Sequence, residues 1–130
     1  MRVCAAAALC AAAGCGSKTR VEAPRYNDSA ERLATLDIQV RMEDDSQIVA
    51  MTNTTAQEFG RSRLWLNGWF SREIEGLEVG ESLRLPVRSF RNEFGEPMRA
   101  GGFFSTKAPD PLVLAELQTD AGLHRLIVVD

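Results

Sequence analysis

The sequence predicts an all-β domain, built as an antiparallel two-layer sandwich of about seven short strands. Three observations carry this expectation. Apolar and polar residues alternate strictly from Leu36 to Met42, which is the period of a strand with one buried face. Turn signals recur at close intervals, and Asn67-Gly68 is the strongest, because both residues tolerate the positive φ of a type I′ hairpin turn. Apart from one short capped stretch near residue 30, no segment reads as a helix.

The elements follow in order. Asp28-Ser29-Ala30-Glu31 has the pattern of a capping box that would open a short helix through Leu36. Leu36, Ile38, Val40 and Met42 then form the apolar face of a strand, Glu43-Asp44-Asp45-Ser46 a turn, and Gln47 to Thr52 the returning strand. Arg63–Leu66 and Trp69–Ile74 flank Asn67-Gly68 as a second hairpin. Leu83, Leu85 and Val87 alternate in a further strand, where Pro86 has no amide hydrogen to donate and so belongs at a sheet edge. Residues 90–111 are irregular and rich in glycine and proline, with Phe94 and Phe103-Phe104 expected to pin them to the core. Leu112–Leu117 and Leu123–Val129, joined by Asp120-Ala121-Gly122, make the last hairpin.

Ahead of this domain lies an export signal. Arg2 is a minimal basic start, Val3 to Ala13 is apolar, and small residues follow. An apolar run of about eleven residues is far shorter than the ~20 that a membrane-spanning helix needs. Ala12-Ala13-Gly14-Cys15 resembles the lipobox of bacterial lipoproteins, with alanine where that family prefers leucine. The resemblance implies cleavage after residue 14, lipidation of Cys15, a membrane as partner through that lipid, and a place in the bacterial cell envelope. With Gly16 rather than aspartate after the cysteine, it implies the outer membrane in a Gram-negative host. The alternative is ordinary cleavage after Ala13, which leaves Cys15 a free thiol. All three cysteines lie within the first fifteen residues, so cleavage and lipidation together leave a mature protein with neither thiol nor disulfide. The expected organisation is therefore a signal peptide over 1–14, a tether over 15–32 and the β-domain over 33–130.

A second resemblance concerns the fold. Asn53-Thr54-Thr55 after a strand, and Leu77-Glu78-Val79-Gly80-Glu81 before another, are similar to turns of the immunoglobulin-like domains common in bacterial surface lipoproteins. These motifs cover about forty residues and imply a fold without an activity.

The composition narrows the function. Fifteen basic residues stand against eighteen acidic ones, a net charge of −3 that disfavours nucleic acid as a partner. His124 is the single histidine and opens the last strand, with no third group in view to orient a nucleophile. Glu43-Asp44-Asp45 is the densest acidic cluster but lacks calcium-loop spacing, and reads as a solvated turn. Glu73, Glu75, Glu78 and Glu81 read as the solvated side of a strand and its turn. No catalytic group, metal or cofactor is expected.

The expected site is a surface for binding. A two-residue Asn67-Gly68 loop pairs Leu66 with Trp69, Trp65 with Phe70, Leu64 with Ser71 and Arg63 with Arg72. Leu64, Leu66 and Trp69 then face the core, while Arg63, Trp65, Phe70 and Arg72 share the other face as an aromatic pair rimmed by arginine. That face would contact an envelope protein, or alternatively carbohydrate or peptidoglycan, unless a second layer covers it. A slip of one residue would exchange the faces. The sequence thus points to a non-enzymatic, membrane-anchored interaction or structural module.

Overall fold

A computed structural model describes residues 23–130; the expected signal peptide, Cys15 and the first part of the expected tether lie outside the described residues. The fold is all-β, as expected, with nine strands among the described residues rather than seven. These are β1 (Arg32–Leu33), β2 (Ile38–Glu43), β3 (Ile48–Asn53), β4 (Ser62–Leu66), β5 (Phe70–Ile74), β6 (Ser82–Pro86), β7 (Ala115–Thr119), β8 (Gly122–Arg125) and β9 (Ile127–Val128). They form a five-stranded sheet in the order β1-β8-β7-β4-β5 and a four-stranded sheet in the order β6-β3-β2-β9. Pairing is antiparallel except for β1 with β8 and β2 with β9. Among the described residues no helix is long and apolar enough to cross a membrane.

The alternation read from the sequence sets the four-stranded sheet. Ile38, Val40 and Met42 stand opposite Asn53, Met51 and Val49, and Leu83 and Leu85 of β6 continue the same face. Gln39, Arg41 and Glu43 face away, and Glu43 bridges Arg41 at 2.7 Å and Arg84 at 3.1 Å across three strands. β6 is an edge strand, which accommodates Pro86. From the other sheet, Leu64, Leu66, Ile74, Ala115 and Leu117 close the core, all but Ile74 with no exposed surface.

Four expectations are corrected. The stretch from Asp28 turns instead of forming a helix, and ends in β1. β7 begins at Ala115, because Val113 and Leu114 give their amide hydrogens to the Asn67 side chain instead of a neighbouring strand. The last strand is two strands. Leu126 is 3% exposed and marks the point where the chain leaves the five-stranded sheet after β8 and joins the other as β9. Phe94, Phe103 and Phe104 do not pin residues 90–111; Phe90, Met98 and Ala100 do, each at most 7% exposed.

Two connections carry the chain between the sheets at the far end of β3, and both pass Asn53. This side chain lies on the core face and has no exposed surface. Its Nδ2 donates to the carbonyls of Gln57 at 2.8 Å, Glu78 at 3.1 Å and Leu77 at 3.3 Å. Its Oδ1 accepts from the Thr55 amide at 3.0 Å and the Thr55 hydroxyl at 2.6 Å. Its backbone is bonded to Glu81 and Gly80, whose φ of +77° suits glycine. A buried amide is tolerated only when its donors and acceptors are met, and here both ends are. Asn53→Ala removes all five of these side-chain bonds and leaves a gap in the core face, and should cost about 3 kcal/mol, read as a lower urea midpoint at unchanged slope. Thr54→Ala removes only an exposed bond to the Asp37 carbonyl and should cost less than about 1 kcal/mol in the same assay.

Candidate functional site

The Asn67-Gly68 turn forms as predicted: both residues have positive φ, 57° and 61°, and the Trp69 amide donates to Leu66 O at 3.1 Å. The register beyond it differs. Trp69 is bulged out, and pairing resumes with Leu66 opposite Phe70, Trp65 opposite Ser71, Leu64 opposite Arg72 and Arg63 opposite Glu73. This one-residue shift divides the expected quartet between the two faces. Arg63 and Trp65 lie on the outer face of the five-stranded sheet. Phe70 and Arg72 lie on the inner one, where Phe70 packs half-buried against the core and Arg72 Nη1 donates to Ser89 Oγ at 2.8 Å. Trp69, expected in the core, is 41% exposed.

The outer face is covered, though not by residues 90–111. The chain from Ala23 to Glu31, expected as tether, lies across it. Tyr26 packs edge-on to Trp65 with ring centroids 5.2 Å apart, and the indole N–H donates to Gln118 Oε1 at 2.7 Å. Trp65 is 1% exposed in consequence. Beside it, Glu116 is a buried carboxylate held by two residues of the N-terminal stretch. The Tyr26 hydroxyl donates to its Oε1 at 2.7 Å, and Arg32 Nη1 donates to its Oε2 at 2.5 Å and to the Tyr26 oxygen at 2.7 Å. Burying a carboxylate is costly unless it is paired and hydrogen-bonded, and this one meets both conditions. β1 completes the seam by pairing with β8.

What stays open is a groove of about 880 Å³ on this face, running towards the start of β4 and the β7–β8 turn. Arg25, Arg61, Arg63, Glu73, Gln118 and His124 are its main polar walls, and Trp65 is at its floor. Arg61 bridges Glu73 at 2.9 Å and Glu75 at 3.2 Å. Arg63 donates to Ser71 Oγ at 3.0 Å; burial pulls its guanidinium below the usual arginine value, and the neighbouring Glu73 opposes that shift. Its partners leave most of its five donors free for an incoming acceptor. His124 Nδ1 meets the Ala34 carbonyl at 2.9 Å, and the ring stands edge-on to Phe59 at 6.2 Å, so the imidazole ties down the link between β1 and β2. Glu43 is held below the usual carboxylate range, first by its hydrogen bond from Arg41.

Of the residues singled out from the sequence, Arg63 and Trp65 reach the groove, Phe70 and Arg72 do not, and Cys15 lies outside the described residues. Tyr26, Glu116 and Gln118 were missed. Nothing local marks Tyr26 as a packing residue in a polar stretch, and Glu116 and Gln118 acquire their partners only through pairing of β7 with β4. No protein family, curated protein or solved structure matches the chain.

The Tyr26 phenol is pushed above its ordinary value of 10.0, first by burial and then by its hydrogen bond to Glu116, with Arg32 opposing. Because the folded value is the higher one, this contribution to stability is complete below pH 10 and is lost as the pH climbs through the folded value. Tyr26 is the only tyrosine, so tyrosinate absorbance titrates it directly. A midpoint above 10.0 is expected, and Tyr26→Phe should remove the alkaline loss of stability while lowering stability at neutral pH.

Proposed function

We propose that the chain is a lipid-anchored module of the bacterial cell envelope that acts by binding a protein partner, without catalysis. The observation that carries this reading is the groove over Trp65 and Gln118, walled by Arg25, Arg61 and Arg63. Its walls are polar and charged, its floor is a rigid sheet, and Arg63 presents partly desolvated guanidinium hydrogens. Such a surface suits an extended protein segment carrying backbone carbonyls and carboxylates. The lipobox-like Ala12-Ala13-Gly14-Cys15 supports the anchor, and triacylation at Cys15 exceeds the two chains that stable anchoring requires. The two turns that meet at the buried Asn53, one following it and one through Gly80, support the immunoglobulin-like reading of the sandwich. The alternative of a sugar platform on Trp65 and Phe70 gains no support, because a platform needs both rings open on one face, whereas Trp65 is buried and Phe70 lies half-buried on the opposite face.

Cells fed an alkyne analogue of palmitate should label the protein through Cys15, and Cys15→Ala should abolish the label and move the protein out of the membrane fraction. A photo-crosslinker placed at Gln118 on the full-length lipoprotein should trap a discrete envelope protein. The adduct should vanish in Arg61→Ala/Arg63→Ala at unchanged thermal stability. An adduct unaffected by the double substitution would refute the groove as the contact.

A further inference from the structure

Seven large apolar side chains are exposed among the described residues, and five of them, Trp69, Phe94, Phe103, Phe104 and Val113, sit on loops at one end of the sandwich. The hydrogen bonds place them there. Trp69 follows the β4–β5 turn, and its ring meets that of Phe94 at 6.0 Å. Val113 is bonded at 2.8 Å to Asn67 in the same turn. Phe103 and Phe104 occupy the tip of a tight turn closed by the Ser105 amide on Gly102 O at 3.1 Å, and that turn is fastened to the β2–β3 turn by the Gly101 amide on Ser46 O. Val87 is bonded to Gln47 of the β2–β3 turn, and four residues on, Arg91 pairs with Ser71 beside the β4–β5 turn, so both turns belong to one end. Phe103 and Phe104 are 92% and 91% exposed, and Phe94 is 53% exposed.

The N-terminal chain comes in at this same end. The Ala23 amide meets Asn92 O at 3.4 Å, and the Asn92 side chain in turn holds the amides of Phe94 and Glu96. Tyr26 lies against Gly68 of the hairpin turn. Only residues 16–22 separate Ala23 from Cys15, a span of at most about 29 Å when fully extended. That stretch carries Lys18 and Arg20 and no acidic residue before Glu22.

We propose that this end of the sandwich is the face the protein lays on the lipid bilayer, with Trp69 and Phe94 seated at the headgroup level beside the tether. The proposal rests on the lipid-anchor reading of Cys15. A short tether holds the domain at high effective concentration over the membrane, so a small apolar patch suffices to dock it. Tryptophan and phenylalanine are residues that settle at the boundary between headgroups and acyl chains, and basic residues in the tether favour anionic lipid. Monomeric proteins rarely leave an aromatic cluster of this kind in water. Docked this way, the protein turns the opposite end, where β4 begins and the arginine groove opens, away from the membrane.

The chain has two tryptophans, of which Trp65 is buried, so emission changes report on Trp69 and are assigned by Trp69→Phe. Full-length protein, with its Cys15 modification established by mass spectrometry, is reconstituted in vesicles of phosphatidylethanolamine and phosphatidylglycerol. A matched set contains phosphatidylcholine brominated near the headgroup. The expected result is loss of Trp69 emission in the brominated vesicles and loss of its access to aqueous acrylamide. Both effects should be absent in Trp69→Phe, which keeps the wild-type unfolding midpoint. Lipidated protein whose Trp69 stays open to acrylamide and blind to bromine overturns the proposal and leaves the anchor standing. Protection of Trp69 that follows protein density instead of bromine content also overturns it, and assigns the face to a second copy. An unmodified Cys15 overturns the anchor and this proposal together.

Discussion

A single buried amide organises the two connections that cross between the sheets beside β3. The chain leaves the four-stranded sheet after β3 and returns to it before β6, and both connections run past the Asn53 side chain. One carboxamide, together with the Phe59–Leu77 backbone bridge, sets the spacing between the segment at Gln57 and the turn at Leu77–Glu78. Hydrophobic burial presses the layers together without choosing how they are offset, since it is non-directional. Hydrogen bonds of Asn53 supply the direction. That clasp fixes the end of the sandwich at which β4 begins and β5 finishes.

That hairpin shows where sequence reasoning reached its limit. The Asn67-Gly68 turn was legible, because its chemistry is local: two adjacent residues adopt positive φ and the amide of Trp69 closes the turn. Its consequence was not. The Asn67 side chain also binds the Pro111 carbonyl and the Val113 and Leu114 amides, contacts made by residues more than forty positions away. Trp69 is squeezed out as a bulge, the pairing moves by one, and every side chain of β5 changes face relative to the simplest hairpin. Trp65 keeps its expected outer face, where Tyr26 covers it, and Phe70 turns to the inner face against the core.

Other features divide along the same line. The alternation from Leu36 to Met42 was legible, because one buried face imposes it on every residue. So was the edge position of Pro86. The break at Leu126 was not, since Leu126 to Val129 is an unbroken apolar run with no glycine, proline or other turn residue to mark the change of sheet. Phe103 and Phe104 misled for the opposite reason. Hydrophobicity argues for burial, but Gly101 and Gly102 turn the chain tightly against Asp45 and Gln47, and the two rings project into solvent. An added Cβ at Gly101 would lie 2.0 Å from the Asp45 carbonyl oxygen, so this turn has no room to fold the rings back under it.

The stretch from Ala23 to Leu33 joins these observations to the tether. It lies across the outer face of the five-stranded sheet, starting beside Asn92 at one end and finishing as β1 against β8. Tyr26 and Arg32 close over Trp65 and Glu116 along the way, so an indole and a carboxylate are kept from solvent by the N-terminal chain itself. Were that stretch to lift, Glu116 would lose both partners and Trp65 would be uncovered, while Leu123, also on this face and 2% exposed, would lose the cover beside it. Lifting of this stretch is resisted by Tyr26, Arg32 and β1 together, because all three bear on the same sheet. The N-terminal chain is for this reason part of the domain's packing, and the stretch expected as a tether belongs to that packing from Ala23 onward.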